Sequence, residues 1–270
     1  MTDDSGIGSS PSFFDLIKGQ PAEPTFIREP GKGPASEVPA LPHGTTVIAL
    51  KFADGIVMAG DRRAIEGFSI AGNEMQKVFP ADEHSVVGIA GVAGQALEIV
   101  RLFQTELEHY EKVEGEVLSL EGKSNRLAQM LRQSWPLVLQ GLVVVPLYAG
   151  YDLRRKEGRI FRYDVIGGRY EEADYQGAGS GSRDAKGSLK KRWRPGMSRE
   201  QAIDTAIEAL IDAGEEDAAT AGPDVIRGIY PNVYVVSADG VSEATDDEVK
   251  QAADRVLERR RSAQGGEASG

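Results

Sequence analysis

The residues with the clearest chemical potential are the glycine–threonine pair Gly44-Thr45. The chain has no cysteine, which excludes a thiol nucleophile, thiolate metal sites and disulfides. It has three histidines, His43, His84 and His109, and none is placed in the H-x-x-x-H spacing of a metal-binding pair. This argues against a histidine-bound metal and against a Ser-His-Asp relay, which requires a dedicated histidine. A hydroxyl nucleophile in this chain therefore needs another base.

One physical solution is the α-amino group of a threonine that is the first residue of its chain. An α-amine has a pKa of about 7.7–8.0, against about 10.4 for lysine, so a useful fraction is unprotonated near neutral pH. Liberating this amine requires cleavage immediately before the threonine. A small, flexible Gly44 suits a strained bond that the hydroxyl of Thr45 attacks. The sequence therefore predicts a cleavage site at Gly44–Thr45 and Thr45 as the nucleophile.

The composition excludes several classes of partner. The formal net charge of −11 argues against a nucleic-acid partner, because binding to phosphates needs concentrated lysine and arginine. The acidic N-terminus lacks the features of a secretory signal, and no run of 18 apolar residues could span a membrane. We therefore expect a cytoplasmic protein that uses neither nucleic acid nor a membrane.

The first 44 residues differ from the rest of the chain. They hold seven of its 13 prolines, a density that cannot sustain a helix or a sheet ladder. The segment is predicted to be extended or disordered, with one apolar run at 13–17 that could form a docking turn. Taken alone, the segment would be interpreted as a plain disordered tail.

From Thr45 onward the pattern alternates between grouped strands and paired helices. The predicted strands are 45–52, 56–60, 75–80, 85–91, 142–151, 159–165, 169–176 and 232–237. The predicted helices are 94–112, 123–140, 183–193, 198–213 and 246–261, with Pro136 expected to kink the second or end it. Because the strands are grouped, we predict an α+β protein with two sheets packed face to face and helix pairs outside.

These residues also carry a family resemblance. Five motifs are similar to the motif series of catalytic proteasome β-subunits: Gly-Thr-Thr-Val at 44–47, Gly-Asp-Arg-Arg at 60–63, Lys77, Gly-Ile-Ala-Gly at 88–91 and Gly-Ser-Gly-Ser at 179–182. Each motif is weak alone, but 16 residues separate Thr45 from Asp61 and 16 more separate Asp61 from Lys77. The resemblance runs from Thr45 to about residue 245. The stretch 217–224 and the long pro-segment are most similar to the actinobacterial type.

The resemblance implies a fold and a division of the chain. The fold is that of the N-terminal-nucleophile hydrolases, a four-layer αββα sandwich of two antiparallel sheets between helix layers. Residues 1–44 would be a pro-segment removed by self-cleavage, 45–262 the catalytic domain and 263–270 a flexible tail.

The resemblance also assigns roles position by position. Thr45 matches the nucleophile, and Lys77 matches the lysine that lowers the pKa of its hydroxyl or accepts its proton. Asp61 matches the acid that orients this lysine. Whether the α-amine or Lys77 takes the first proton stays open. Gly91 matches the donor of the oxyanion-binding N–H, and an outer polar network that supports the α-amine is matched by Ser180, Asp217 and Thr220.

Substrate-binding positions follow in the same way. The first specificity pocket is matched by mostly apolar residues, which suggests cleavage after hydrophobic residues: Ala64, Met75, Phe79, Ile89 and Ala93. Ile65 is a departure from the family pattern, because the matching position in the substrate groove is usually smaller and polar. Thr220 stands where many relatives have serine, and the hydroxyl is retained.

The implied protein is a threonine endopeptidase that needs no metal and no organic cofactor. The resemblance implies a homo-heptameric β ring, stacked with rings of α-subunits in a four-ring barrel and served by an ATPase activator ring that delivers unfolded or tagged proteins. Three alternatives remain: a bacterial HslV-like protease, an amidase of the same fold, and a non-catalytic ring scaffold. The scaffold alternative predicts loss of Thr45, Asp61 or Lys77, and all three are present.

Overall fold

The computed structural model describes residues 44–66 and 69–267. The segment that precedes Gly44, with its apolar run at 13–17, lies outside these residues, as do the last three positions. None of the helices within the described ranges is long and apolar enough to cross a membrane.

The first sheet has five antiparallel strands and starts where the β-branched run after Thr45 predicts a strand. Its spatial order is β10-β1-β2-β11-β12. The β1–β2 hairpin turns at Ala53-Asp54, as the Asp54-Gly55 pair indicates. The strands are β1 Thr46–Phe52, β2 Gly55–Gly60, β10 Tyr175–Gly179, β11 Asn232–Ser237 and β12 Gly240–Glu243.

The second sheet joins five strands in chain order. They are β5 Val78–Asp82, β6 Ser85–Gly88, β7 Leu147–Asp152, β8 Glu157–Tyr163 and β9 Arg169–Glu172. A separate two-stranded ribbon, which the sequence pattern did not predict, consists of β3 Ala64–Glu66 and β4 Ser69–Gly72.

Six helices complete the described part of the chain. They are α1 Ala93–Glu114, α2 Leu120–Gln133, α3 Trp135–Val138, α4 Ser182–Arg192, α5 Arg199–Glu216 and α6 Asp246–Glu267. The predicted helix 123–140 is in fact two helices. Pro136 lies in the first turn of α3, where its missing N–H costs nothing, so α2 ends before it.

Alternation along β1 shows why the molecule has four layers. Val47 and Ala49 point into the layer between the two sheets, whereas Ile48 and Leu50 pack under α4, α5 and α6. On the far side, α1 and α2 cover the second sheet through a third cluster that includes Phe103. The αββα prediction is therefore correct.

Other predicted boundaries were wrong. The predicted strand 169–176 is split between β9 and β10, which belong to different sheets, because the chain bends at Ala173-Asp174 and crosses over. The strand predicted at 142–151 begins at Leu147. The predicted loop 177–182 contains the end of β10 and the start of α4, and α6 continues beyond residue 261.

Candidate active site

The residues singled out from the sequence lie at one end of the two sheets. Thr45 precedes β1, and Asp61 follows β2, its antiparallel neighbour. Lys77 immediately precedes β5, while Gly91 follows the partner strand β6. Ser180 follows β10, which pairs with β1. Antiparallel pairing places these residues at the same end of their sheets. The packing of the two sheets then brings the five stretches of sequence together.

The Gly44–Thr45 bond is buried at this end of the two sheets. Thr45 is 4% exposed, and its carbonyl oxygen accepts a hydrogen bond from the amide of Ser180 at 3.0 Å. The carbonyl oxygen of Gly44 lies 3.4 Å from Nζ of Lys77, which donates to it. A Cβ on residue 44 would lie 2.0 Å from Cβ of Ala219 and 2.6 Å from its backbone oxygen. Only glycine fits at position 44 in this arrangement.

Lys77 and Asp61 form a buried ion pair beside that bond. Nζ of Lys77 lies 2.6 Å from Oδ1 of Asp61, and both side chains are 0% exposed. The ammonium also donates to the carbonyl oxygen of Arg63 at 2.6 Å. Burial lowers the pKa of Lys77, although the charge and hydrogen bond of Asp61 act in the opposite direction. Burial likewise raises the pKa of Asp61 against the effect of Lys77. The lowered pKa of Lys77 favours a lysine that can lose its proton.

The carboxylate of Asp61 is held by backbone N–H groups from three segments. Oδ1 accepts from the amide of Thr46 at 2.9 Å. Oδ2 accepts from the amide of Arg63 at 3.0 Å and from that of Ala221 at 3.2 Å. Fixed in this way, Asp61 can orient Lys77 without moving itself.

A second cluster of polar residues surrounds Asp217, the residue that immediately follows α5. Its Oδ2 accepts from the hydroxyl of Ser180 at 2.5 Å and from that of Thr220 at 2.6 Å. Its Oδ1 accepts from the amide of Ala219 at 3.1 Å. Burial raises the pKa of Asp217, but these hydrogen bonds, with the charge of Lys77, hold it below its ordinary value. The structure thus brings together the three residues predicted to form the outer network, with Asp217 ionised.

Gly91 has a backbone that other residues rarely adopt. Its φ is +113°, and a Cβ would lie 2.1 Å from the carbonyl oxygen of Val143. Gly91 forms an antiparallel bridge with Val144, and the two hydrogen bonds of that bridge are made by its neighbours Ala90 and Val92. Gly91 is therefore the non-hydrogen-bonded member, and its own N–H points away from the 143–145 segment.

The residues predicted to line the specificity pocket are only partly brought together. Ile89 is buried in the apolar cluster under α1 and α2, and the half-buried Met75 and Phe79 pack against it. Within the described residues, Ala64 and Ala93 are half-buried and do not belong to that cluster. Ile65 is half-buried in β3, next to an irregularity in the β3–β4 pairing.

Sequence reasoning missed three residues that hold the site. Asn232 accepts from the amide of Lys77 at 3.4 Å and donates to the carbonyl oxygen of Val78 at 3.1 Å, so it ties β11 to β5 across the two sheets. The guanidinium of Arg63 donates to the carbonyl oxygens of Ala218 and Thr220 at 2.8 and 3.1 Å. Thr46 donates its amide to Asp61, and its hydroxyl lies 2.6 Å from that of Thr220. Its place after Thr45, and that of Arg63 after Asp61, were signals in the quoted motifs; Asn232 gave none.

The arrangement suits attack by a hydroxyl on a carbonyl. A buried lysine with a lowered pKa can take a proton, and backbone N–H groups and hydroxyls can stabilise charge. Within the described ranges, no group of three or more His, Cys, Asp or Glu side chains is placed to hold a metal ion.

Comparison with known proteins places the sequence among proteasome subunits. The family described as "Proteasome subunit" matches residues 41–227. A protein named "Proteasome subunit beta" from Acidimicrobium ferrooxidans is 54% identical over 243 residues, which cover 90% of this chain and 88% of the relative. A protein of the same name from Streptomyces griseus is 52% identical over 256 residues, which cover 94% of this chain and 89% of the relative.

Proposed function

Because this chain belongs to the proteasome subunit family, we propose that it is a catalytic β-subunit that hydrolyses peptide bonds with Thr45 as its nucleophile. The observation that carries the proposal is the buried Lys77–Asp61 pair, whose ammonium lies 3.4 Å from the carbonyl oxygen of Gly44. A chain that served only as a scaffold would have no need to bury this pair beside a threonine.

The first reaction is self-cleavage between Gly44 and Thr45. The nitrogen of Thr45 is still an amide in the precursor and cannot act as a base, so Lys77 is the group that accepts the hydroxyl proton. Oγ1 of Thr45 then bonds to the carbonyl carbon of Gly44, and the C–N bond breaks as the nitrogen takes up a proton. Water hydrolyses the resulting ester, which releases residues 1–44 as a carboxylate and leaves 45–270 with a free α-amine.

Peptide hydrolysis repeats this chemistry on a substrate. Thr45 attacks the peptide carbonyl, an acyl-enzyme ester forms, and water deprotonated by the α-amine releases the product. The N–H of Gly91 stabilises the oxyanion of the tetrahedral intermediate, a role that its orientation away from residues 143–145 supports. Asp217, with the hydroxyls of Ser180 and Thr220, supports the α-amine.

The substrates are peptide segments of unfolded or tagged proteins. Met75, Phe79 and Ile89 offer an apolar surface for a hydrophobic side chain before the cleaved bond. Ile65 pairs its backbone with the substrate, and its larger apolar side chain alters the cleavage preference. The site works without a metal or an organic cofactor, since Lys77, the α-amine and backbone groups supply the proton transfers and charge stabilisation.

The assembled form is a seven-membered β ring stacked with α-subunit rings in a four-ring barrel in the cytoplasm, gated by an ATPase ring. Both relatives are named as β-subunits and match this chain over most of its length, which supports its place in a proteasome core complex. Confinement also fits the chemistry, because a protease of broad specificity must be inactive until it is enclosed.

The test is the intact mass and N-terminal residue of the chain co-expressed with its α-subunit. We expect a chain that begins at Thr45, whereas Thr45→Ala should remain uncleaved and lack peptidase activity while keeping its fold. Thr45→Ser retains a hydroxyl and serves as the control, since it should still be cleaved. Efficient processing of Thr45→Ala without an added protease would overturn the mechanism. An assembled ring that still begins near Met1 would favour the scaffold alternative.

A further inference from the structure

Thr46 connects the Lys77–Asp61 pair to the polar cluster around Asp217. The proposed chemistry assigns it no role. It opens β1, pairs with Gly179 of β10 and is 0% exposed. Its amide donates to Oδ1 of Asp61 at 2.9 Å, and its carbonyl oxygen accepts from the amide of Asp61 at 3.1 Å. The backbone of Thr46 therefore belongs to the Lys77–Asp61 side of the site.

The side chain of Thr46 belongs to the polar cluster around Asp217. Its Oγ1 lies 2.6 Å from Oγ1 of Thr220, which is also 0% exposed. The same oxygen accepts from the amide of Gly181 at 3.0 Å. In a place this buried, a hydroxyl that loses a partner cannot replace it with bulk water, so each of these bonds carries a cost if broken.

Counting protons fixes the direction of this chain of hydrogen bonds. Thr220 has one hydroxyl proton, and it donates that proton to Oδ2 of Asp217 at 2.6 Å. Thr220 must then act as the acceptor toward Thr46. The bonds run in one direction, from the amide of Gly181 through Thr46 and Thr220 to Asp217, where Ser180 donates to the same oxygen at 2.5 Å.

Gly181 gives independent support, because the space it leaves is the space the two hydroxyls need. A Cβ on residue 181 would lie 2.7 Å from Oγ1 of Thr220 and 2.8 Å from Oγ1 of Thr46. The φ of Gly181 is −81°, which any residue can adopt. The glycine is therefore required by the hydroxyl pair and not by the backbone.

We propose that Thr46 is a positioning residue whose hydroxyl fixes that of Thr220, and through it the carboxylate of Asp217, beside Thr45. This inference rests on the proposed function. Without the Thr46 hydroxyl, Oγ1 of Thr220 loses its donor and the amide of Gly181 loses its acceptor. The Thr220 hydroxyl can then rotate away from Asp217, which leaves the ion that supports the α-amine of Thr45 less firmly placed.

The test compares Thr46→Val, which keeps the branched shape and loses the hydroxyl, with Thr46→Ser, which keeps the hydroxyl. Both are assayed in the processed particle, assembled with α-subunits, on a peptide with a hydrophobic residue before the cleaved bond. We expect Thr46→Val to lower kcat about tenfold with KM unchanged, the kinetic equivalent of one lost hydrogen bond, and Thr46→Ser to restore kcat. A double variant with Thr220→Val should be no slower than Thr220→Val alone, because both break one chain of bonds.

Three results would overturn the inference: wild-type kcat in Thr46→Val, equal loss in Thr46→Ser, or fully additive losses in the double variant. If Thr46→Val does not fold or process, Gly181→Ala decides, since its Cβ presses on the same hydroxyls and should also lower kcat. Gly187→Ala is its control, because a Cβ there meets nothing within 4 Å. Unaltered kcat in Gly181→Ala would then count against the inference. Full activity in Thr45→Ala would instead remove the proposed function itself.

Discussion

At the scale of single residues, Gly44 is where sequence and structure agree for different reasons. The sequence argument valued glycine for a flexible, strained bond, whereas the structure shows that Ala219 leaves no room for a side chain. We expect Gly44→Ala to slow self-cleavage strongly, because the Cβ must displace the carbonyl that Thr45 attacks. The measurement is the fraction of processed chain against time by intact mass.

The control for this substitution is Gly187→Ala, at a glycine whose added Cβ meets nothing within 4 Å. The double variant Gly44→Ala/Ala219→Gly should recover part of the rate, because it removes the nearest of the three contacts. Processing of Gly44→Ala at the wild-type rate would contradict the prediction. It would show that the backbone around Ala219 can move to make room for the added Cβ.

The Lys77–Asp61 pair leads to a prediction about pH. Burial lowers the pKa of Lys77, and the charge and hydrogen bond of Asp61 raise it, so removing that charge must lower the pKa further. Self-cleavage needs neutral Lys77, and its rate therefore rises with pH through this pKa. We expect Asp61→Asn to move the midpoint of the rate–pH curve to lower pH and to reduce the maximum rate, because orientation is lost. A quenched time course at each pH gives the curve.

Asp217→Asn is the comparison variant, since the charge of Asp217 also raises the pKa of Lys77 but is the smallest of the causes. Its midpoint should move in the same direction by less. A midpoint that moves to higher pH in Asp61→Asn would mean that Lys77 is not the group that must lose its proton.

Individual residues also show the limits of sequence reasoning. Thr45, Asp61 and Lys77 could be found because motif and spacing marked them, and the structure brings them to one edge. Asn232 could not, because its role depends on β11 lying opposite β5 in the other sheet, which no local pattern records. The direction of the Thr46–Thr220 bond likewise needs three-dimensional distances.

At the scale of elements, α5 shows how a helix can be predicted from its start. Ser198, where the predicted helix 198–213 begins, accepts from the amide of Gln201 at 3.2 Å, and the side chain of Gln201 accepts from the amide of Ser198 at 3.0 Å. These two bonds form a capping box. We expect Ser198→Ala to reduce the free energy of unfolding by about 1 kcal/mol, measured by urea titration. Ser198→Asp keeps a capping oxygen and should lose less.

The same substitution should leave the rate of self-cleavage unchanged. The helix has 18 residues, so its start lies about 27 Å from Asp217 at its end. Fraying of the first turn does not reach that distance. A fall in the cleavage rate that matches the fall in stability would show that a change at the start of α5 shifts the whole helix and displaces Asp217.

The elements that were mispredicted share a cause. Residues 169–176 were predicted as one strand, yet the chain bends at Ala173-Asp174 and β9 and β10 lie in different sheets. The β3–β4 ribbon and β12 are short, and what holds them is pairing with a partner strand, not their own pattern. The layer arrangement was predictable because the grouping of strands and helices along the chain and the family resemblance both indicate it.

At the scale of the whole molecule, the site depends on how the two sheets meet. Asp61 follows a strand of one sheet and Lys77 precedes a strand of the other, so the layer between the sheets sets their separation. Leu147 is 0% exposed in that layer, packed in the cluster that contains Val47 and Val78, and it pairs with Gly88 on the strand that leads to Gly91. Leu127 is equally buried, but in the outer cluster under the helices.

We therefore expect Leu147→Ala and Leu127→Ala to destabilise the fold similarly, by about 2–5 kcal/mol, because each removes the same atoms from a fully buried leucine and leaves a cavity. They should differ in self-cleavage. Leu147→Ala lets the sheets shift at the edge that holds Thr45, so its cleavage rate should fall well below that of Leu127→Ala under conditions in which both variants remain folded. Urea titration and intact-mass time courses measure the two effects separately. Equal cleavage rates at equal stability would mean that the backbone bonds around Asp61, and not the packing between the sheets, hold the site in register.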